Sequence, residues 1–123
     1  MTRIIVAGSR DFTDKERLYK VLDSRLAYIN DSVEIVSGHC RGADMLGEQY
    51  AKEHNIPLIV FPADWNKYGK RAGYIRNKQM AEYASEENGM LIAFPIGEAR
   101  GTKMMIKLAH EHDIETDVYY ALG

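Results

Sequence analysis

The sequence has little cysteine and no long apolar run. Its one cysteine, Cys40, excludes a disulfide within the chain, and no cysteine and histidine spacing typical of a metal site is present. No apolar stretch approaches the roughly 20 residues that a membrane-spanning helix needs. Residues Met1 to Val6 lead directly into a strand pattern, without the layout of a signal peptide. We therefore expect a cytoplasmic protein that has no membrane segment, no metal and no resident cofactor.

A strong charge of one sign is also missing, since 16 Lys and Arg face 18 Asp and Glu and the formal net charge is −2. This excludes a basic coat for nucleic acid, so nucleic acid is not the expected partner. Half of the basic residues nevertheless fall in, or just after, the loops that follow predicted strands: Arg10, Arg41, Lys67, Lys70, Arg71, Arg76, Arg100 and Lys103. A mildly acidic chain with this distribution favours a small anionic ligand.

The apolar pattern predicts the fold class. The 123 residues are enough for one domain, 1–123, and 46% hydrophobic residues is ordinary for a globular one. Short apolar runs predict strands at 3–7, 33–37, 57–61, 90–94 and 116–120. Helical periodicity predicts helices at about 13–29, 42–54, 73–86 and 101–112, the first opened by a capping box of Thr13 and Glu16. The alternation predicts an α/β domain whose mainly parallel five-stranded sheet carries helices on both faces.

Four loops with glycine or proline follow strands of this sheet. Ligands of open α/β sheets bind beyond the carboxyl ends of the strands, where the strand order switches. In the last of these loops Gly97 and Gly101 let the backbone approach a phosphate closely, while Arg100 and Thr102 add charge and a hydroxyl. The following helix offers free N–H groups to an anion. Taken alone, this segment is equally well interpreted as an ordinary strand-to-helix turn that binds no ligand.

The first loop contains Gly8, Ser9 and Arg10. With one glycine it matches neither the dinucleotide fingerprint nor the Walker A loop. Ser9 can hydrogen-bond a phosphate or a ribose, and Arg10 can make a forked phosphate contact. The alternative is that Arg10 and Asp11 form a solvated pair.

The second loop has two glycines on either side of an arginine, directly before a predicted helix. This again is a shape that suits an anion. Asp44 either caps the helix or holds a ribose hydroxyl or Arg41. The candidate ligand-binding residues of this loop are Ser37, Gly38, Arg41, Gly42 and Asp44.

The third loop contains Asp64 and Tyr68. It also contains Trp65, the only tryptophan of the sequence. Aromatic rings in a basic loop can stack on a base, although Trp65 can equally anchor the loop on the domain. Arg76 and Asn77 come early in the next predicted helix, at the expected pocket edge. We expect both to contact the ligand.

Five motifs together resemble the SLOG superfamily and, within it, the small YspA/cpYpsA-like group of bacterial and phage proteins. They are Gly8-Ser9-Arg10-Asp11, Ser37-Gly38-x-x-Arg41-Gly42-Ala43-Asp44, Ala63-Asp64-Trp65-x-x-Tyr68-Gly69, Ala72-Gly73-x-Ile75-Arg76-Asn77-x-x-Met80 and Pro95-x-Gly97-x-x-x-Gly101-Thr102. The resemblance implies a Rossmann-like domain that binds a nucleotide or a nucleotide-derived signal, ADP-ribose-like or cyclic. It adds Pro95 to the candidate ligand contacts. The sequence resembles the LOG phosphoribohydrolases and DprA more distantly.

Three functions stay open. The first is a binding module, either a sensor or a sequestering protein. The second is a LOG-like hydrolase that cleaves an N-glycosidic bond; here Met105 occupies the position of the LOG glutamate, and Asp44, Arg76 and Glu98 are the substitute candidates. The third is DprA-like DNA binding, against which the net charge argues. Apolar residues on several sides of the last helix, together with the resemblance, lead us to expect a homodimer or a higher homo-oligomer.

Overall fold

The computed structural model describes residues 1–120. Five strands form the sheet: β1 (Thr2–Gly8), β2 (Val33–Ser37), β3 (Leu58–Val60), β4 (Asn88–Phe94) and β5 (Glu115–Val118). The helices are α1 (Lys15–Leu26), α2 (Ala43–Glu53), α3 (Trp65–Tyr68), α4 (Ala72–Ser85) and α5 (Arg100–Glu111), with a 3-10 turn over Gly69–Arg71. The predicted Rossmann-like α/β class is confirmed. The stretch predicted as a loop after β3 instead contains α3 and the 3-10 turn.

The strand order is β3-β2-β1-β4-β5, and every neighbouring pair is parallel. The chain proceeds outward from β1 to β3 and then crosses to β4 on the other side of β1. The strand order therefore switches between β1 and β4, whose last residues, Gly8 and Phe94, are register partners. This is the position at which parallel sheets leave a crevice for ligands.

The core has two parts because alternate residues of each strand point to opposite faces. Ile4 and Val6 of β1 pack with the buried residues of α1 and α2, whereas Ile5 and Ala7 pack with those of α4 and α5. Helices therefore cover both faces of the sheet. No helix within residues 1–120 combines the length and the apolarity needed to cross a membrane.

The predicted capping box at Thr13 and Glu16 is wrong. The N-cap of α1 is Asp14, whose carboxylate accepts a hydrogen bond from the Arg17 amide at 3.1 Å. A carboxylate is at least as good a cap as a threonine hydroxyl, and it also interacts favourably with the helix dipole. The helix also ends at Leu26, three residues before the predicted end.

The cap gives a direct stability prediction. We expect Asp14→Ala to lower the free energy of unfolding by about 1 kcal/mol, because the Arg17 amide loses its acceptor. Thr13→Ala is the matched control and should change it much less, since the Thr13 hydroxyl does not cap the helix. Urea unfolding of the two variants measures the difference. An equal loss in both would contradict the assignment of the cap.

Candidate functional site

A cavity of about 300 Å³ lies at the carboxyl ends of β1 and β4, where the strand order switches. We call it the large cavity. Its walls come from the ends of the strands, the loops that follow them, α4 and the first turns of α2 and α5. The lining residues are Ala7, Gly8, Ser9, Arg10, Asp11, Cys40, Asp44, Arg76, Asn77, Met80, Ile96, Ala99, Arg100, Gly101, Thr102 and Met105.

Three of the predicted loops meet at this cavity. The Ser9 hydroxyl oxygen accepts a hydrogen bond from the Ile96 amide at 2.7 Å, which joins the loop after β1 to the loop after β4. The Ser9 carbonyl accepts a hydrogen bond from the Ala43 amide at 3.4 Å, which joins the same loop to the start of α2. The loops after β1, β2 and β4 therefore form one continuous rim.

Arg76 of α4 is the main buried charge of the cavity, with 8% of the residue exposed. Its Nε donates to the Asn77 Oδ1 at 2.8 Å, and its Nη1 donates to the Gly38 carbonyl. Within residues 1–120 no carboxylate oxygen lies within 4.0 Å of the guanidinium. A buried charge is costly unless a counter-charge accompanies it. The Arg76 guanidinium is therefore a buried cation without a directly paired carboxylate among the described residues.

Asn77 and Gly38 hold this arginine in place. The Asn77 Nδ2 donates to the Gly101 carbonyl at 3.4 Å, so the amide links α4 to the first turn of α5. A Cβ atom on Gly38 would stand 2.8 Å from the Arg76 Nη1 and 3.0 Å from an Asp44 carboxylate oxygen. Both side chains thus pack directly on the Gly38 backbone.

Asp44 is a buried carboxyl group of the large cavity, 6% exposed. Its Oδ2 accepts a hydrogen bond from the Cys40 amide at 3.2 Å. Burial raises the pKa of Asp44 to about 6, although the Cys40 amide and the Arg76 charge favour the ionised form. The carboxyl group can therefore change its protonation state close to neutral pH.

This shift predicts a pH dependence of stability. Because the folded protein binds the Asp44 proton more tightly than the unfolded chain, stability falls as the pH rises from about 4 to about 6. The full change attributable to Asp44 is about 3 kcal/mol. We expect Asp44→Asn to remove this part of the pH profile, as measured by urea unfolding between pH 4 and pH 7. An unchanged slope in the variant would contradict the assignment.

A buried polar cluster supports the loop after β2, and sequence reasoning missed its centre, Glu48. The Glu48 Oε2 accepts a hydrogen bond from the Ser37 hydroxyl at 2.7 Å and lies 2.8 Å from the His39 Nδ1. The His39 amide donates to the Ser37 hydroxyl oxygen at 3.0 Å. A charged residue on the inward face of α2, beside Gly47 and Ala51, was the signal that could have identified it.

The structure separates the predicted ligand contacts into two groups. The large cavity is lined by Gly8, Ser9, Arg10, Asp44, Arg76, Asn77, Arg100, Gly101 and Thr102. It is not lined by Ser37, Gly38, Arg41, Gly42, Asp64, Trp65, Tyr68, Pro95 or Gly97, nor by Glu98, which was a candidate for catalysis only. The Arg41 Nη2 instead lies 3.7 Å from the Asp11 Oδ1. The Glu98 Oε2 lies 3.3 Å from the Arg100 Nε, and both of these side chains are exposed.

Asp64 and Tyr68 line a separate cavity of about 190 Å³, which we call the small cavity. Trp65 lines neither cavity and is 52% exposed. Its ring lies 3.7 Å from the position of a Cβ atom on Gly73, at the start of α4. This placement fits an anchor for the segment more closely than a cover for a base in the large cavity.

Several lining residues were not among the predicted contacts, among them Cys40, Met80, Ile96 and Ala99. Ala99 is the N-cap of α5 and has a left-handed backbone, with φ of 44°. Alanine carries no sequence signal for that conformation, so this position was not predictable. Within the described part of the chain, no three His, Cys, Asp or Glu side chains group closely enough to hold a metal ion.

The fold is that of a Rossmann-like α/β domain with a cavity where the strand order switches. The sequence model of the YspA, cpYpsA-related SLOG family matches residues 2–68, more than half of the chain. The chain therefore belongs to this family, which confirms the resemblance. The match covers the loops after β1 and β2, while the motifs from Ala72 onward lie beyond it.

The chain is also similar to two other proteins. The chain is 29% identical over 119 residues to the Gene 61 protein of Mycobacterium phage D29, covering 93% of each chain. It is similar to the solved C-terminal domain of a hydrogenase from Pyrococcus furiosus, with a TM-score of 0.53 and 16% identity. That match covers 96% of this chain and 91% of the other. The second likeness concerns the fold alone.

Proposed function

We propose that the protein is a sensor or a sequestering protein whose large cavity binds the phosphate of a nucleotide or of a nucleotide-derived signal. The observation that carries this proposal is the buried Arg76 guanidinium, which has no carboxylate partner within the described residues. A phosphate at the cavity would supply a directly paired counter-charge through a charge-assisted hydrogen bond, in addition to the nearby Asp44 carboxyl group. Family membership supports a ligand related to nucleotides, ADP-ribose-like or cyclic.

The first turn of α5 supports the same reading. Its N-cap, Ala99, has no side chain that can satisfy the first backbone N–H groups, and Gly101 and Thr102 line the cavity beside it. Free amides at a helix N-terminus favour an anion. Arg10 and Arg100 add positive charge at the rim, whereas Asp11 reduces it. The arrangement suits a compact anion better than an extended polyanion.

Native mass spectrometry of protein purified without added ligand tests the proposal. We expect either a co-purified mass of nucleotide size or, after addition of ADP, ADP-ribose or a cyclic dinucleotide, a saturable complex. The bound compound should be recovered intact after denaturation. Protein that remains free with every phosphorylated compound tested would contradict binding.

A second candidate is a nucleotide-cleaving hydrolase, and the observation that favours it is Asp44. A carboxyl group whose pKa is about 6 can donate a proton to a departing base near neutral pH, and Asp44 shares the cavity with Arg76. Glu98 is a weaker candidate because it lies outside the cavity and pairs with Arg100. Met105, at the position of the LOG glutamate, lines the cavity with a thioether that cannot transfer a proton. Chromatography after incubation with nucleoside monophosphates and NAD separates turnover from binding.

The oligomeric state and the compartment stay predictions. Met104 and Ile106 of α5 pack against the core and are only partly buried, which leaves apolar surface for a second copy. Sedimentation equilibrium would test the expected homo-oligomer.

A further inference from the structure

The small cavity lies next to the site of the proposed function, and Arg76 connects the two. Within residues 1–120, Arg76 is the one residue that lines both cavities. The small cavity is otherwise formed by Pro62, Asp64, Lys67, Tyr68, Ala72, Ile75 and Gln79. A group bound at Arg76 is therefore accessible from two directions.

The hydrogen bonds of Arg76 leave one nitrogen for a ligand. Nε and Nη1 are occupied by Asn77 and Gly38, while no acceptor in the described chain binds Nη2. A Cβ atom on Gly73 would stand 3.9 Å from Nη2. Ala72 and Ile75, which flank Gly73 in the sequence, both line the small cavity. The unpartnered donor therefore belongs to the residue that both cavities share, and no side chain on Gly73 covers it.

The small cavity is suited to an uncharged polar group. Tyr68, Ile75 and Pro62 provide apolar surface, and Gln79 provides an amide with donors and acceptors. Besides Arg76, the cation that lines this cavity is Lys67, whose ammonium lies 5.1 Å from the centroid of the Tyr68 ring. Asp64 places a carboxylate in the same wall, which would repel a second phosphate. A sugar-like group meets these conditions.

The sizes of the cavities support a shared ligand. Sites for small organic ligands occupy about 300 to 1,000 Å³. The large cavity, at about 300 Å³, is at the lower limit, and the small cavity, at about 190 Å³, is below it. The two volumes taken together, with Arg76 in the wall of both cavities, fall well inside the range.

We propose that the two cavities form one site for a two-armed ligand, a phosphodiester or pyrophosphate diester. Its bridging phosphate contacts Arg76, its nucleoside occupies the large cavity, and an uncharged polar second group occupies the small cavity. This inference rests on the proposed function, since it requires phosphate binding at Arg76. It excludes a simple nucleoside mono- or diphosphate as the preferred ligand.

Calorimetric titration with matched probes tests the inference. The probes are ADP against ADP-ribose and GDP against GDP-mannose, each pair differing by a neutral second arm. We expect one diester to bind about tenfold tighter than its parent diphosphate, because the second arm adds hydrogen bonds in the small cavity. Q79W places a large ring at the wall of the small cavity and should weaken binding of the diester far more than binding of the parent diphosphate.

The matched control is Q49W, the same substitution at an exposed position of α2 that lines neither cavity. It should retain the advantage of the diester. Equal affinities of diester and diphosphate for the unaltered protein would overturn the two-armed ligand while leaving phosphate binding intact. An equal loss for both probes in Q79W would overturn it as well. Absence of binding by all four probes would overturn the proposed function and this inference together.

Discussion

Arg76→Gln is expected to weaken binding of a phosphorylated ligand by about 10- to 100-fold. A hydrogen bond to a charged group contributes about 1.5–3 kcal/mol, and each 1.4 kcal/mol corresponds to a factor of ten in affinity. Glutamine keeps a polar side chain but carries neither the positive charge nor the forked donor geometry. The affinity for ADP or ADP-ribose, measured by calorimetric titration, reports the loss.

The stability of the variant separates binding from folding. Glutamine at position 76 leaves the Gly38 carbonyl and the Asn77 Oδ1 without their present donors, which destabilises the fold. Removal of a buried charge acts in the opposite direction. Titration well below the midpoint of thermal unfolding ensures that the folded fraction is the same in both proteins.

Arg71→Gln is the matched control for this experiment. Arg71 is the exposed residue directly before α4, and it lines neither cavity. The change removes the same charge from the same end of the helix and should alter affinity by less than about threefold, since exposed charges interact weakly through solvent. An equal loss in the two variants would mean that net charge alone attracts the ligand. Arg76→Lys should give an intermediate affinity because lysine keeps the charge but not the fork.

Gly42→Ala is expected to have the largest effect on stability. Gly42 precedes α2 with φ of 88° and ψ of −131°, a conformation that is costly for a residue with a Cβ atom. An added Cβ atom would stand 2.3 Å from the Ser9 carbonyl oxygen and 2.8 Å from the Arg10 carbonyl carbon. Both contacts are with the backbone of the loop after β1, which cannot move without opening the large cavity.

The expected loss is more than about 3 kcal/mol in the free energy of unfolding, from backbone strain and steric overlap together. Gly69→Ala is the control, since Gly69 also has a positive φ, 57°, but an added Cβ atom there meets nothing within 4 Å. It should lose only the strain contribution, about 1–3 kcal/mol. Urea unfolding monitored by circular dichroism measures both. A Gly42→Ala protein as stable as the Gly69→Ala protein would contradict the close approach of the two loops.

The fold was largely predictable because its signals are local. Short apolar runs such as Ile4 to Ala7 indicate buried strands, and the helical periodicity between them requires parallel crossovers. The prediction that Ser9, Arg76 and Gly101 lie close together followed from the topology alone, because the carboxyl ends of parallel strands lie at one edge of the sheet. Nine of the eighteen predicted ligand contacts line the large cavity.

The misplaced residues depended on details that loop composition does not specify. Ser37 shares the sheet face of Ile35, so its side chain points toward Glu48 of α2 and away from the cavity. Asp64 and Tyr68 were assigned to the same pocket as Arg10, but Asp64 caps the short helix α3 through the Lys67 amide and the segment forms a second cavity. The carboxylate three residues before Lys67 was a capping signal that sequence reasoning had available.

We propose that a phosphate binds at Arg76 of α4, in the large cavity whose rim is formed by the loops after β1, β2 and β4. Titration of the isotopically labelled protein with ADP-ribose, followed in amide correlation spectra, tests it most directly. We expect saturable shifts concentrated at the amides of Gly8, Ser9, Gly101 and Thr102 and at the Arg76 Nε. Shifts concentrated at the opposite end of the strands, near Ser32 and Asn88, or no saturable shifts at all, would contradict it.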